Sequence, residues 1–262
     1  MMIPEDIAPL YARLHDLGDQ AQSGCVGIGD FLSPREAHYA ELRLRSMGVK
    51  YLMWGGYDEA ERKRVYILPD YMESVSHVLE LDDYGFECDI CAVRISTDGY
   101  RRLSHRDYMG SILGLGVDRA VVGDILVYGE DGAQACVFCT SAMSEFFLAE
   151  LCKISREKAR VEKIALSEVE IPERRFVSIN DTVASPRLDC IVGALCSLSR
   201  EKARGAVESG LVELDYECEE RPDRTVSAPC LVSVRGLGKY RVLSVCDKTK
   251  KGRYRLCAEK FL

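Results

Sequence analysis

No apolar run in this sequence approaches the roughly eighteen residues a helix needs to cross a bilayer, so a membrane-spanning protein is not expected. The opening MMIPEDIAPLYARL lacks a basic segment followed by an apolar one, so neither is a secretory signal. Nucleotide-binding glycine patterns are missing too. Gly110, Gly114 and Gly116 do not compose a GxGxxG that follows a strand and opens a helix, which weakens a methyltransferase reading. The tripeptide His105-Arg106-Asp107 lacks the companions of a kinase catalytic loop: position 112 is Ile, and no Gly-rich loop or Asp-Phe-Gly accompanies it. The HIGH-type and KMSKS-type motifs of tyrosyl-tRNA synthetases are absent as well.

What is present is an ordinary globular composition, with 47% hydrophobic and 29% charged residues over 262 positions, enough for two or three small cores. The twelve cysteines are scattered; Cys190, Cys196, Cys246 and Cys257 sit singly in apolar segments, as reduced thiols do in a cytoplasmic protein. Cys88-x-x-Cys91 and Cys136-x-x-Cys139 invite a zinc reading. Both pairs fall in expected strands, where residues three apart point to opposite faces, so buried thiols are favoured and no metal or cofactor is expected.

Charge is distributed unevenly. Residues 183–262 hold 15 Lys+Arg against 11 Asp+Glu, whereas residues 1–182 hold 20 against 31, which together give the net −7. From Arg235 to Arg255 there are eight basic residues and one acid, Asp247. Such asymmetry points to a C-terminal segment that meets a polyanion.

The pattern along the chain predicts an α+β protein of three small domains. Residues 1–75 read as mainly helical, with an amphipathic stretch from Pro4 to Leu17, a Gly/Ser-rich loop QSGCVGIGD, and a helix opened by Ser33, Pro34 and Glu36 and closed at Gly48. VKYLMWGG follows as a strand. Residues 76–172 read as an RRM-like α+β sheet domain, with strands at VLELD, FECDICAVRI, DILVYG, AQACVFCT and VEKIALSEVEI and helices at SHRDYMGSILGLG and SAMSEFFLAELCKI. Ile171-Pro172 through Asn180-Asp181 reads as a connector, and 182–262 as a module with a basic tail. The hexamer SREKAR, at 155–160 and 199–204, has different flanks and is not read as a repeat.

The module carries the functional reading. Leu188, Ile191, Val192 and Leu195 fall on one helical face; Ser199 caps a second helix whose Ala203 and Val207 face inward, and Gly210 ends it. Arg187 enters the first helix, while Arg200 and Arg204 share a face of the second with Lys202 to one side. Guanidinium groups on a rigid helix pair can hold phosphates bidentately. The Gly236–Lys239 turn offers backbone amides and a lysine, and the tail interleaves Lys248, Lys250, Lys251, Arg253 and Arg255 with Tyr254.

These residues resemble the S4-type RNA-binding domain over roughly 182–245, through Arg187-Leu188-Asp189, Ser199-Arg200 with Ala203, Gly210-x-Val212 and Val234-Arg235-Gly236, with Asp215 where asparagine is common. The resemblance implies two helices on a small sheet, and RNA contact through Arg187, Arg200, Lys202, Arg204, Arg235 and Lys239; the tail adds Lys248, Lys250, Lys251 and Arg253 as RNA-contact candidates. Upstream, Gly55-Gly56-Tyr57, Glu59-Ala60-Glu61-Arg62, Leu68-Pro69-Asp70-Tyr71, Leu103–Asp107, Leu113–Gly116 and Gly123-Asp124-Ile125 make the whole chain resemble the YlmH family of bacterial RNA-binding proteins. That resemblance implies a non-catalytic, cytoplasmic, monomeric protein with no cofactor. Its expected partners are rRNA or tRNA on the large ribosomal subunit, in quality control of stalled peptidyl-tRNA complexes, with a secondary link to cell division. The rival is an RNA-modifying enzyme, a methyltransferase or pseudouridine synthase that docks through the module. A synthase's catalytic Asp sits in an RLD motif of its own, but here Arg187-Leu188-Asp189 lies inside the RNA module with no catalytic domain after it.

Overall fold

The computed structural model describes residues 4–72, 88–173, 176–249 and 252–261, and its chain divides into two compact units, Met1–Pro172 and Glu173–Leu262. In the first unit, α1 (Ala8–Gln22) and α2 (Pro34–Met47) lie on an antiparallel sheet of β1 (Gly27–Leu32), β2 (Lys50–Trp54) and β3 (Lys63–Leu68), in the order β1-β3-β2. The start of α2 is a complete capping box: Ser33 Oγ accepts the Glu36 amide and Glu36 accepts the Ser33 amide at 2.7 Å. Gly48 closes the helix at φ 67°.

Beside its helices this segment therefore carries a three-stranded sheet. The glycine-rich stretch expected as a loop becomes β1, because it pairs with β3. The β3 strand escapes a sequence reading because it opens with Lys63 and Arg64, which look solvated. Arg64 is 6% exposed nonetheless. Its guanidinium donates to the Gly29 carbonyl and to the carbonyl and carboxylate of Asp89, which compensates the buried charge.

The central strand β3 has two apolar faces. Val65 and Ile67 meet Leu14, Ala40 and Leu44 of the helices. Tyr66 and Leu68 join Phe31 on the other side, in one core with Ala92, Cys136 and Phe138 of a second sheet. That sheet comprises β4 (Cys91–Thr97), β5 (Val122–Tyr128), β6 (Gln134–Cys139), β7 (Lys153–Ile154) and β8 (Glu157–Ile164), antiparallel in the order β5-β6-β4-β8-β7. With α3 (His105–Leu113) and α4 (Ser141–Glu150) the connectivity is βαββαβ, extended by the short β7. The two helices cover one face through Tyr108, Ile112 and Phe147. The first sheet covers the centre of the other. The strand expected at VLELD lies outside the described residues.

The second unit is a six-stranded antiparallel sheet, β11-β10-β12-β13-β14-β9, carrying two helices. Its strands are β9 (Phe176–Val183), β10 (Val212–Leu214), β11 (Glu217–Cys218), β12 (Cys230–Val234), β13 (Gly238–Lys248) and β14 (Tyr254–Phe261). The helices are α5 (Leu188–Leu195) and α6 (Arg200–Glu208). Leu188, Ile191, Val192, Leu195, Ala203 and Val207 are all buried in one core with Val212, Val232, Tyr240 and Leu256. The segment expected as a connector contains β9, which pairs along its whole length with β14. The basic tail is likewise not a loose end but the β13–β14 hairpin.

Candidate nucleic-acid interface

Helix α5 begins without a side-chain cap. Its first amides are satisfied instead by the loop before β12: Leu188 N donates to the Arg224 carbonyl at 2.8 Å and Asp189 N to that of Pro222 at 3.1 Å. This strap fixes Asp189, whose side chain is 1% exposed. Arg187, at the N-cap position, turns back and grips that carboxylate with a two-bond fork, Nε to Oδ1 and Nη2 to Oδ2, both 3.1 Å. Arg200, from the first turn of α6, brings its Nε to 3.9 Å from the same carboxylate. Arg204 lies one turn further on, paired with Glu208 at 2.7 Å. One buried acid thus organises the arginines of two helices. Their exposure grades their freedom: 38% for Arg187, 73% for Arg200 and 63% for Arg204.

Burial raises the pKa of the Asp189 carboxyl, but the Arg187 fork and charge and the Cys190 amide outweigh burial, and the group titrates below its ordinary value. Its ionised form then stabilises the fold. That contribution is complete above the unfolded carboxylate pKa of about 3.9 and fades as pH falls through the lower folded value. Asp189→Asn is expected to cost about 1–3 kcal/mol at neutral pH, less than a fully buried pair would because water reaches Arg187. The variant should also lose part of the acid sensitivity of the second unit. Urea titrations at pH 7 and near pH 2 check both, and an unchanged pH dependence would rule out this role for Asp189.

The expected RNA contacts do not all gather. Arg187 and Arg200 meet at Asp189, Arg204 follows one turn along α6 on its pair with Glu208, and Lys202 is exposed on the same short helix. Arg253 stands at the tip of the β13–β14 hairpin and donates to Thr182 Oγ1 at 2.9 Å and to the Thr182 carbonyl, five residues before Arg187. Lys239 lies at the other end of β13, about 30 Å away along an extended strand. It sits over the rings of Tyr216 and Phe261, each 5.5 Å from Nζ. Arg235 is exposed at that same end, just ahead of the β12–β13 turn. Lys250, Lys251 and the side chain of Lys248 lie outside the described residues. Asp189 is part of the Arg187-Leu188-Asp189 motif, but its role as the acid between two basic helix starts is not read from the sequence.

The motif residues of the first unit form a seam between its two sheets. Asp124 of β5 accepts the Tyr57 hydroxyl and the Glu61 amide, both at 2.7 Å, and the Arg62 amide at 3.0 Å. Arg62, 9% exposed, donates to the carbonyls of Val122, Phe31 and Arg119. Burial first, and the Arg62 charge second, push the Arg119 pKa down to about 10, so that guanidinium stays charged at neutral pH. Gly123 admits no side chain, since a Cβ there would lie 2.8 Å from the Phe31 ring and 2.9 Å from Phe138. Asp107 caps α3 by accepting the Ser104 amide at 2.8 Å. Burial, then the charge of Arg119, lowers the pKa of His105. Burial pushes the Cys136 thiol up to about 12 and raises that of Cys139 as well, so both stay protonated.

Comparison with known proteins fits this organisation. Residues 10–72 match a family model described as "YlmH, N-terminal", and residues 82–168 one described as "Putative RNA-binding domain in YlmH". A Bacillus subtilis (strain 168) protein named "Ribosome-associated protein quality control protein P2" is 32% identical over 233 residues, 89% of this chain and 86% of its own. The chain belongs to the YlmH family. A solved structure, "Cell division protein ylmH from Streptococcus pneumoniae", has the same fold at a TM-score of 0.52 and 20% identity, covering 64% of this chain and 96% of its own. Both family models fall within the first unit, whose seam residues they cover, and the Bacillus subtilis relative carries the likeness on into the second. No helix among the described residues is long and apolar enough to cross a membrane.

Proposed function

We propose that this YlmH-family chain is a non-catalytic RNA-binding protein that docks on rRNA or tRNA of the large ribosomal subunit. There it would serve the quality control of stalled peptidyl-tRNA complexes in the cytoplasm, as a monomer. The observation that carries the proposal is the arginine array at the starts of α5 and α6, with Arg187 and Arg200 on one buried carboxylate and Arg204 one turn beyond. Such an array presents a preformed phosphate grip whose ordering cost is met by folding. We assign the second unit to the S4 type, because a helix pair on a sheet with Arg187, Asp189 and Arg200 at the helix starts supports that reading. In a three-domain description the first unit divides into its two sheets with their helices.

The ribosomal setting draws on the name of the Bacillus subtilis relative. Sedimentation of the full chain with purified subunits tests it. Retention on large subunits carrying peptidyl-tRNA, greater than on vacant ones and weakening as salt rises, is the expected outcome. Failure to co-sediment at low salt would overturn the proposal.

A further inference from the structure

We propose that the loop between β4 and α3 is a second RNA contact, in which Tyr100 stacks on an unpaired base while Arg101 and Arg102 hold the flanking phosphates. The inference rests on the RNA-binding reading above and locates its contact in the first unit. Residues 82–168 match a domain described as RNA-binding, yet the centre of the sheet face that would be open in a lone βαββαβ domain is closed. Ala92 and Phe138 are fully buried there, packed in one core with Phe31 and Tyr66 of the first sheet. RNA reaching this domain must then be met away from the sheet centre.

The loop fits that task. Its ends are tied down within a few residues of its tip. Thr97 N donates to the Ala133 carbonyl at 2.8 Å, Gly99 N to the buried Glu157 carboxylate at 3.2 Å, and Leu103 N to the Asp131 carbonyl at 2.8 Å. Leu103 is itself buried, against a turn where Gly132 admits no Cβ, since one would lie 2.1 Å from the Leu103 oxygen. Between these anchors Tyr100 is 87% exposed and both arginines are exposed. Among the described residues no ion pair or hydrogen bond engages either guanidinium, so nothing in the fold explains the three side chains.

Their chemistry matches an unpaired nucleotide, with a ring for the base and forked donors for phosphate. The Glu157 contact also sets the loop beside the start of β8, where Arg156, Lys158 and Arg160 are exposed. Of the nearby acids Glu157 is buried and takes the Gly99 amide, whereas Asp98, Glu130 and Asp131 are exposed, the last accepting the Ala133 amide.

The test uses the full chain and a fluorescently labelled RNA stem closed by a loop of unpaired adenosines, with the same stem as a blunt duplex for comparison. Tyr100→Ala is expected to weaken binding to the stem-loop about tenfold with no change for the duplex, and Tyr100→Phe to bind as the parent does. Arg101→Ala with Arg102→Ala should make the salt dependence shallower by about 1.4, at about 0.7 per phosphate on a single strand. An unchanged Tyr100→Ala affinity, or a Tyr100→Phe variant as weak as Tyr100→Ala, overturns the loop contact. If only Arg200→Ala with Arg204→Ala matters, this inference fails while the RNA-binding reading stands. If the parent chain binds neither RNA, that reading fails too.

Discussion

Replacing Arg200 and Arg204 together by Ala should weaken RNA binding about a hundredfold at fixed salt, on the basis of about 1.5 kcal/mol for each charge-assisted hydrogen bond lost. The dependence of affinity on salt should become shallower by about 1.8, at about 0.9 per duplex phosphate. Folding should survive, because both side chains are more than 60% exposed and point away from the core. Arg204 gives up only a surface pair with Glu208, a loss of small consequence for stability. The geometry adds a ranking that residue type alone does not supply. Arg235→Ala with Lys239→Ala removes the same number of charges from the far end of β13, so its effect should be several-fold smaller. Anisotropy titrations of the two double variants at three salt concentrations decide the matter. If the Arg235/Lys239 variant is the weaker binder, the RNA lies at the opposite end of the sheet from Asp189.

Phe138→Ala is expected to cost about 3–5 kcal/mol, the range for deleting a buried aromatic ring. The ring is fully buried, 5.1 Å from that of Tyr57, and Gly56 and Gly123 both approach it too closely to carry a side chain of their own. Space around it is therefore shaped for this residue and collapses poorly when it is removed. Because Phe138 belongs to one sheet and its neighbours Phe31 and Tyr66 to the other, the damage should spread to both. Hydrogen exchange checks this directly: amides of β3 and of β6 should lose protection together, while those of α5 keep theirs. Protection retained in β3 alone would mean that the two sheets unfold independently.

Legibility in the sequence followed the range of the interactions concerned. Local signals succeeded: the Ser33–Glu36 capping box and Gly48 end, the Leu188–Leu195 face and the Gly210 stop are all formed where the residues predict them. Long-range pairing overrode composition elsewhere. Strand β1 looks like a flexible glycine loop until β3 pairs with it, and β3 hides behind Arg64, whose charge is answered by an acid 25 residues away. The hexamer SREKAR makes the point within one chain, entering strand β8 at its first occurrence and helix α6 at its second. In the candidate site, the basic residues were readable one by one. Their division between two ends of a sheet was not, because it depends on the direction of β13. Nor was the role of Asp189, which follows from a strap supplied by residues 222 and 224.

The pairing of β9 with β14 has a consequence for how the second unit comes into being. These are its first and last strands, and Phe176 lies opposite Phe261 across a separation of 85 positions. Nearly the whole unit must leave the translating ribosome before that edge can close, and loop entropy delays such a contact even then. The helix pair, by contrast, is built from neighbours within some twenty residues and can collapse early. On this order of events the arginine array takes shape around a sheet whose outer edge is still unsealed. A chain shortened within β14 would keep the basic residues of α5 and α6 while leaving β9 without the one strand that pairs with it among the described residues.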